Sequence, residues 1–470
     1  MTEKRGRRRK LAGPEAPWAS ELKAKIERRT ARLALVGLGY VGLPLAILFA
    51  KQFQVYGFDS NRELVKDLRA GRSHIDDTPA SAVKSMIGKS FFPTDDASEL
   101  RPCDFVIVTV PTPLSASKEP DLGPIERAGE SIAKNLQTGQ FVILESTTYP
   151  GTTRDVLIPI LEKSGLSAGL DFGVAYSPER VDPGNRNFRT ENTPKVVGGI
   201  NTSCTQLAAS LFECVVGRVV VVESCEVAEA TKMLENVFRA VNIALVNELT
   251  LALDRMGINT WHVIDAASTK PYGFMPFYPG PGIGGHCIPL DPFYMSYRAR
   301  QFGLVTRFIE LSGETNEFMK FHAVNLLAEG LEQLGKRLRN ATVVVFGVSY
   351  KKDIKDTRES PARKIIAELH RRGCGIKIYD PIAQVIETDV GSFRTEASAE
   401  RALKDSDAVL ILTDHSVFRD LATMDFRRLM RGTPVIVDTR NVIRTPISGS
   451  IHVSLGQGRP DGSVVPNRVG

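Results

Sequence analysis

Histidine is scarce, with seven in 470 residues, and none falls at the short spacings that bring imidazoles to one ion, so no metal centre is expected. The six cysteines contain no C-x-x-C pair, which argues against a disulfide scaffold and fits a reducing cytoplasm. Net charge is nearly absent from the body of the chain. Positions 1–30 hold ten Lys/Arg against four Asp/Glu, while positions 31–470 hold 50 of each, so the formal +6 belongs to an extension. A basic face for nucleic acid is therefore not expected, and the segment 1–30 reads as a disordered solubilising extension. That extension lacks the apolar core of a signal peptide. The run Leu33 to Ala50 is uncharged throughout, but it holds three glycines and Pro44. It reads as strand, turn and helix inside an α/β domain, and no membrane insertion is expected.

What fills that run is a G-x-G-x-x-G spacing: Gly37, Gly39 and Gly42, with Tyr40 and Val41 between. The apolar Leu33 to Val36 precedes it as a buried parallel strand, and a helical pattern follows. Asp59 ends the next strand-like run, at the offset from Gly37 that a second strand requires. This is the setting of a dinucleotide fingerprint: a tight turn, close backbone approach to pyrophosphate, and close helix–strand packing. The phosphates would meet the positive end of the helix. Asp59 would accept the ribose hydroxyls and repel a 2′-phosphate, favouring NAD over NADP.

Strand-like segments alternate with helical ones from Arg32 to about Val222, implying an NAD-binding domain over 31–222 with a parallel sheet and helices on both faces. Thr109, Thr112, Glu145, Thr147 and Glu179 fall at strand ends, where ligands gather in such sheets. Glu226 to Met256 has neither Pro nor Gly and carries helical periodicity from end to end. At about 1.5 Å per residue it spans roughly 45 Å, suiting a spine between two domains and a dimer surface. Lys232 and Asn236 are i, i+4 neighbours on it. A second α/β unit starts near Ala341 and keeps only Gly347 of a fingerprint, with Asp380 at a strand end. Its Lys351, Lys352, Arg358 and Arg440 are placed to complement phosphates or to form surface ion pairs. The fold expected is α/β, two Rossmann-like doubly wound domains joined by a long central helix. The central region covers 223–335, the second domain 336–450, and a flexible tail 451–470.

One cysteine is set apart. Cys287 lies in "FYPGPGIGGHCIPLDPF", among glycines and prolines, with Asp291 four residues later. A thiol meant for packing sits among aliphatic residues. One meant for chemistry needs room for a carbonyl and a polar setting that stabilises thiolate. A cysteine nucleophile beside a dinucleotide site suits the oxidation of an aldehyde through a thiohemiacetal and thioester.

The motifs "GLGYVGLP", "VPTP", "ESTTYPGTT", "SPER", "EATKMLENVFRAVNIALVNE", "PGPGIGGHCIPLDP" and "FGVSYKKDIKDTRESPA", in this order, resemble the UDP-glucose/GDP-mannose dehydrogenase family from Arg32 to about Ser450. The resemblance implies a cytoplasmic NAD enzyme that oxidises carbon 6 of a nucleotide-linked sugar to the carboxylate, and a homodimer or higher homo-oligomer. It implies Cys287 as nucleophile, with Lys232 and Asn236 stabilising alkoxide and oxyanion. Thr147, Glu179 and Asp291 match water-handling and acid–base positions, with the base left open. Thr112, Thr147 and Arg358 join Gly37, Gly39, Tyr40, Val41, Gly42 and Asp59 around NAD. Glu179, Arg180, Lys232, Asn236, Phe277, Tyr278, Gly282, Tyr350, Lys351 and Arg440 match sugar-nucleotide contacts. The loops "SPERVDPGN" and "GFMPFYPGPGIGGHCIPLDPFY" resemble the branch acting on UDP-N-acetylglucosamine, with UDP-glucose and UDP-N-acetylmannosamine as alternatives. An NAD-dependent epimerase would need a Tyr-x-x-x-Lys pair, which follows no suitable helix in the first domain. A nucleotide-sensing binding protein would not need Cys287, Lys232 and Asn236 together.

Overall fold

A computed structural model describes residues 17–458 apart from 76–77, 116–118, 183, 186 and 286. Positions 1–16 and the tail from 459 onward lie outside the described residues. The chain divides into two compact units. One holds residues up to Glu235 together with Phe293–Leu304, and the other holds Asn236–Pro292 and the chain from Val305 onward. The central region expected over 223–335 is thus divided between them.

The first unit is an eight-stranded sheet ordered β3-β2-β1-β4-β5-β6-β7-β8. Its strands are β1 (Arg32–Val36), β2 (Gln54–Phe58), β3 (Phe91–Thr94), β4 (Phe105–Val108), β5 (Phe141–Leu144), β6 (Gly173–Tyr176), β7 (Lys195–Gly199) and β8 (Val219–Val221). Period-2 alternation splits the apolar strands between two cores. Leu33 and Leu35 pack on one face of the sheet, and Ala34 and Val36 on the other. The pairings are parallel except β6–β7, which is antiparallel. Among the described residues no helix lies between those two strands to carry a parallel crossover, so the all-parallel expectation fails there.

The extension is not wholly without structure. Pro17–Glu27 is a helix whose Trp18, Ala19, Leu22 and Ile26 are buried. Trp18 Nε1 donates to the Leu170 carbonyl at 2.7 Å, and its ring meets Phe141 edge-on at 6.3 Å. The disorder expected over 1–30 therefore does not hold from Pro17 to Glu27, because a stripe at i, i+4 and i+8 buries against the first core.

The second unit carries β9 (Thr342–Phe346), β10 (Gly375–Tyr379), β11 (Val385–Thr388), β12 (Gly391–Arg394), β13 (Ala408–Ile411), β14 (Val435–Asp438) and β15 (Ile451–Ser454). Its five-stranded sheet runs β10-β9-β13-β14-β15, all parallel, with β11 and β12 as a separate antiparallel pair. This is the doubly wound order whose switch point lies between β9 and β13. Val343 and Val345 face one core, Val344 and Phe346 the other. Ile451–Ser454 pairs with β14, so the tail expected to be flexible begins with a sheet strand. A long helix, Cys225–Arg255, joins the two units, as its unbroken periodicity predicts. Among the described residues no helix is both long and apolar enough to cross a membrane.

Candidate active site

The fingerprint loop leaves β1 at Gly37, whose φ of +94° is open to glycine at little cost. A Cβ on Gly42 would lie 1.9 Å from the Gly37 carbonyl oxygen, whereas one on Gly39 would meet nothing within 4 Å. Gly42 is thus needed for packing, and Gly39 leaves the outer side of the turn open to a ligand. The helix Gly42–Ala50 starts there with no side chain capping it. Leu43 and Leu45 donate to the Gly39 and Val41 carbonyls at 3.1 and 3.3 Å and Pro44 has no N–H, so among the described residues of the first turn it is the Gly42 N–H that is left to a phosphate. Gly39 and Tyr40 are exposed and Val41 half-buried. Thr109, at the end of β4, holds the turn by donating to the Gly37 carbonyl at 2.7 Å. Asp59 accepts the Leu38 N–H at 2.8 Å on one oxygen and the Asn61 N–H at 2.9 Å on the other. An ionised carboxylate has about four acceptor positions, so each oxygen keeps one for a ribose hydroxyl. These residues fit a dinucleotide. Beside them, Thr112 donates to the Thr147 carbonyl at 2.7 Å.

Further along the same sheet Glu179 and Arg180 follow β6. Glu179 Oε1 accepts the N–H groups of Arg180 and Val181, each at 2.7 Å, and its backbone carbonyl accepts from Lys232 Nζ at 2.6 Å. Arg180 pairs with Glu235 at 2.7 Å and also donates to the Pro194 carbonyl. Behind Glu179 lies a residue that motif reading missed, Lys195 at the start of β7. Its ammonium is hydrogen-bonded to Glu145 Oε1 and lies 3.2 Å from Glu179 Oε2. The only local signal was a lysine opening an otherwise apolar strand.

In the second unit Asp291 opens the helix Asp291–Gln301, and its N–H donates to the Cys287 carbonyl at 2.8 Å. Asn236 Nδ2 donates to Asp291 Oδ2 at 2.5 Å, with both side chains buried, while Cys287 is exposed. The structure so brings Cys287, Asp291 and Asn236 into one local arrangement. The other five cysteines are buried or half-buried. Burial pushes the Cys103 thiol up to about 12 and those of Cys204 and Cys374 to about 11, which leaves them inert as thiolates.

The glycines ahead of Cys287 are required by close packing. A Cβ on Gly284 would be 2.7 Å from Pro361 and 2.9 Å from Tyr350, and Gly285 has a φ of +92° with Tyr350 over it. Gly282 lies against the Asn316 carbonyl, where a Cβ would approach to 2.9 Å. Two buried asparagines hold this loop and were not legible as site residues. Asn247 Oδ1 accepts the Gly280 N–H at 3.0 Å, and its amide donates to Asn316 at 2.9 Å. Phe277 packs edge-on to Phe238 at 5.7 Å, and Tyr278 stacks on Trp261 at 5.6 Å. Arg440 reaches the same loop: a Cβ on Gly280 would be 2.5 Å from its Nη1. Its Nη2 donates to Asp414 at 3.1 Å, while its Nε is buried without a hydrogen-bond partner among the described residues. Tyr350 and Lys351, after β9, are half-buried, and Arg358 makes a bidentate pair with Asp356 at 2.8 and 3.0 Å.

The fingerprint residues, Thr112, Thr147, Glu179, Arg180 and Lys232 thus belong to the first unit. Asn236, Phe277, Tyr278, Gly282, Cys287, Asp291, Tyr350, Lys351, Arg358 and Arg440 belong to the second.

Residues 31–216 match the NAD binding domain of the UDP-glucose/GDP-mannose dehydrogenase family, residues 226–318 its central domain, and residues 344–445 its UDP binding domain. A UDP-N-acetyl-D-glucosamine 6-dehydrogenase of Pseudomonas aeruginosa is 36% identical over 414 residues, covering 88% of this chain and 97% of that one. Among solved structures, a UDP-D-ManNAc dehydrogenase from Pyrococcus horikoshii superposes with a TM-score of 0.84 at 35% identity, covering 91% of this chain and 99% of that one. An NDP-N-acetyl-D-galactosaminuronic acid dehydrogenase from Methanosarcina mazei Go1 gives 0.80 at 29% identity, covering 94% and 98%. With a fingerprint loop open to a dinucleotide, an exposed thiol beside a buried Asn–Asp pair, and all three domains matched, the chain belongs to the UDP-glucose/GDP-mannose dehydrogenase family and is an NAD-dependent oxidoreductase of nucleotide sugars.

Proposed function

We propose that the chain oxidises carbon 6 of UDP-N-acetylglucosamine to the carboxylate in two successive steps, with Cys287 as the covalent nucleophile. The observation that carries this reading is the exposure of Cys287 beside the buried Asn236–Asp291 pair. NAD, when bound, accepts the hydride of each oxidation. In the first, the carbon-6 hydroxyl loses a proton and a hydride to become the aldehyde, with Lys232 and Asn236 supporting its developing negative oxygen. The Cys287 thiolate then adds to the aldehyde carbon, and a proton on the oxygen completes the thiohemiacetal. Loss of a second hydride and a proton leaves the thioester. Water adds to it, the C–S bond breaks, and the carboxylate, the Cys287 thiol and one proton result. Asp291 and Thr147 are assigned to water and proton handling. Glu179 is held near a pKa of about 2. Burial alone would raise it, but the charges of Lys195 and Lys232 and its hydrogen bonds outweigh that. So acidic a carboxylate accepts hydrogen bonds well and protons poorly, which assigns Glu179 to orienting a hydroxyl or water.

Phe277 to Gly282, Tyr350, Lys351 and Arg440 are assigned to the sugar nucleotide. Thr112, Asp59 and the fingerprint are assigned to NAD, as is Arg358. The long helix presents Leu234, Phe238, Leu245 and Leu249 exposed along one stripe, which supports a homodimer.

The sugar is tested by product mass and catalytic efficiency with UDP-N-acetylglucosamine, UDP-glucose and UDP-N-acetylmannosamine. UDP-N-acetylglucosamine should lead by at least roughly tenfold, since one group at carbon 2 discriminates by a few kcal/mol. A higher efficiency with UDP-N-acetylmannosamine would favour the second reading, which the 0.84 superposition on the Pyrococcus horikoshii structure supports.

A further inference from the structure

Lys195 is a lysine with only 4% of its side chain exposed, packed between two carboxylates at 0% and 12%. It also stands 5.3 Å above the Phe212 ring. Buried ion groups of this kind add little net stability over an apolar core, so stability alone gives a weak reason for one here. The cluster holds two acids and one base, and Glu145 Oε2 is buried without a hydrogen-bond partner among the described residues. Burial pushes Glu145 up to about 8, with Glu179 adding to the rise and Lys195 opposing it. A proton entering the cluster therefore resides on Glu145, and Glu179 stays ionised. Two of the roughly four acceptor positions of Glu179 go to the N–H groups of Arg180 and Val181, and a third faces Lys195. The Glu145 carboxyl, when it carries the proton, adds a hydrogen bond to Glu179, so Lys195 and Glu145 together hold the Glu179 carboxylate in place.

We infer that Lys195 is a positioning residue for the oxidation: pinned by Glu145, it keeps Glu179 a carboxylate and fixes the orientation in which that carboxylate meets a substrate hydroxyl or water. This rests on the proposed reading in which Glu179 and Lys232 meet the substrate. The charged groups facing Glu179 are Lys195 on β7, Glu145 after β5 and Lys232 on the long helix. Arg180 is occupied by Glu235. Without Lys195, burial dominates and the Glu179 pKa moves up into the working range.

The test is the pH profile of kcat/KM for the UDP-sugar in wild type, Lys195→Met and Lys195→Arg, with NAD affinity measured calorimetrically on each. Lys195→Met should lose roughly 100-fold in kcat/KM near neutral pH, the size of effect that misplacing a group at a reaction centre produces. It should gain a limb that rises with pH as Glu179 ionises, with its NAD affinity within a few-fold of wild type. Lys195→Arg restores the charge and should remove that limb. If Lys195→Met does not fold, Lys195→Gln carries the same expectation. A neutral substitution with the wild-type profile, or an Arg variant with the same new limb as the Met variant, would overturn the inference. Wild-type protein that oxidises no UDP-sugar at any pH would overturn the functional reading, and this inference with it.

Discussion

Glu145 and Glu179 carry the same side chain on neighbouring strand ends, yet the protein drives them apart. Burial lifts Glu145 to about 8, while two lysine charges and backbone donors hold Glu179 at about 2 against its own burial. Environments that separate two acids in this way divide the roles of proton holder and fixed acceptor. The thiols are divided similarly: burial silences Cys103, Cys204 and Cys374 and leaves Cys287 exposed. Cys287→Ser replaces a thiol with a weak nucleophile at an unchanged shape. Its steady-state NADH formation should fall by at least roughly a thousandfold, while its NAD affinity stays within about twofold of wild type. Turnover close to wild type would remove Cys287 from the chemistry. Cys287 and Asp59 were legible in the sequence because their signals are local, a Gly/Pro-rich loop and a fixed offset from Gly37. Lys195 was not, because its partners Glu145 and Glu179 lie 50 and 16 residues away. Asn247 and Asn316 meet across 69 residues and were equally hidden.

At the scale of elements, the long helix was readable from unbroken periodicity and runs Cys225–Arg255 against the expected Glu226 to Met256. Strand cores were readable as apolar runs, as in Leu33 to Val36, which lies within β1 (Arg32–Val36). The helix Pro17–Glu27 escaped notice because its stripe of Trp18, Leu22 and Ile26 stands among lysines and follows a block of arginines. Its packing makes Pro17–Glu27 part of the first core. Trp18→Ala removes a buried ring and the hydrogen bond to Leu170, and should cost about 3 kcal/mol in urea unfolding. A chain starting near Thr30 should likewise be less stable. An unchanged unfolding midpoint for Trp18→Ala would show that the helix does not dock.

For the whole molecule, sheet order lay beyond sequence reading, since pairings such as Ala408 with Val343 are long-range. The antiparallel β7 and the tail strand β15 are further products of tertiary pairing. Charge placement sets how stability varies with pH. Burial raises Glu145 to about 8 and Glu229 to about 7. For a carboxylate with a raised folded value, the stabilisation is complete below its unfolded value and is lost as pH rises through the folded one. Asp380 is the opposite case. His415 and backbone donors hold it at about 2 against the effect of burial, so its contribution is lost only on strong acidification. Stability should therefore be greatest near pH 5 and fall toward pH 9. Glu145→Gln should flatten that fall by about 1 kcal/mol or more. Urea midpoints that climb steadily from pH 5 to 9 would contradict this charge assignment.

On the proposed two-step reading, one protein carries a bound sugar through both oxidations without releasing the aldehyde. The most direct measurement is the count of NADH formed per UDP-N-acetylglucosamine consumed, read by absorbance with limiting sugar, and joined to the mass of the product. Two NADH per sugar, with the carboxylate as the sole product, is the predicted result. One NADH per sugar with free aldehyde in solution would contradict it.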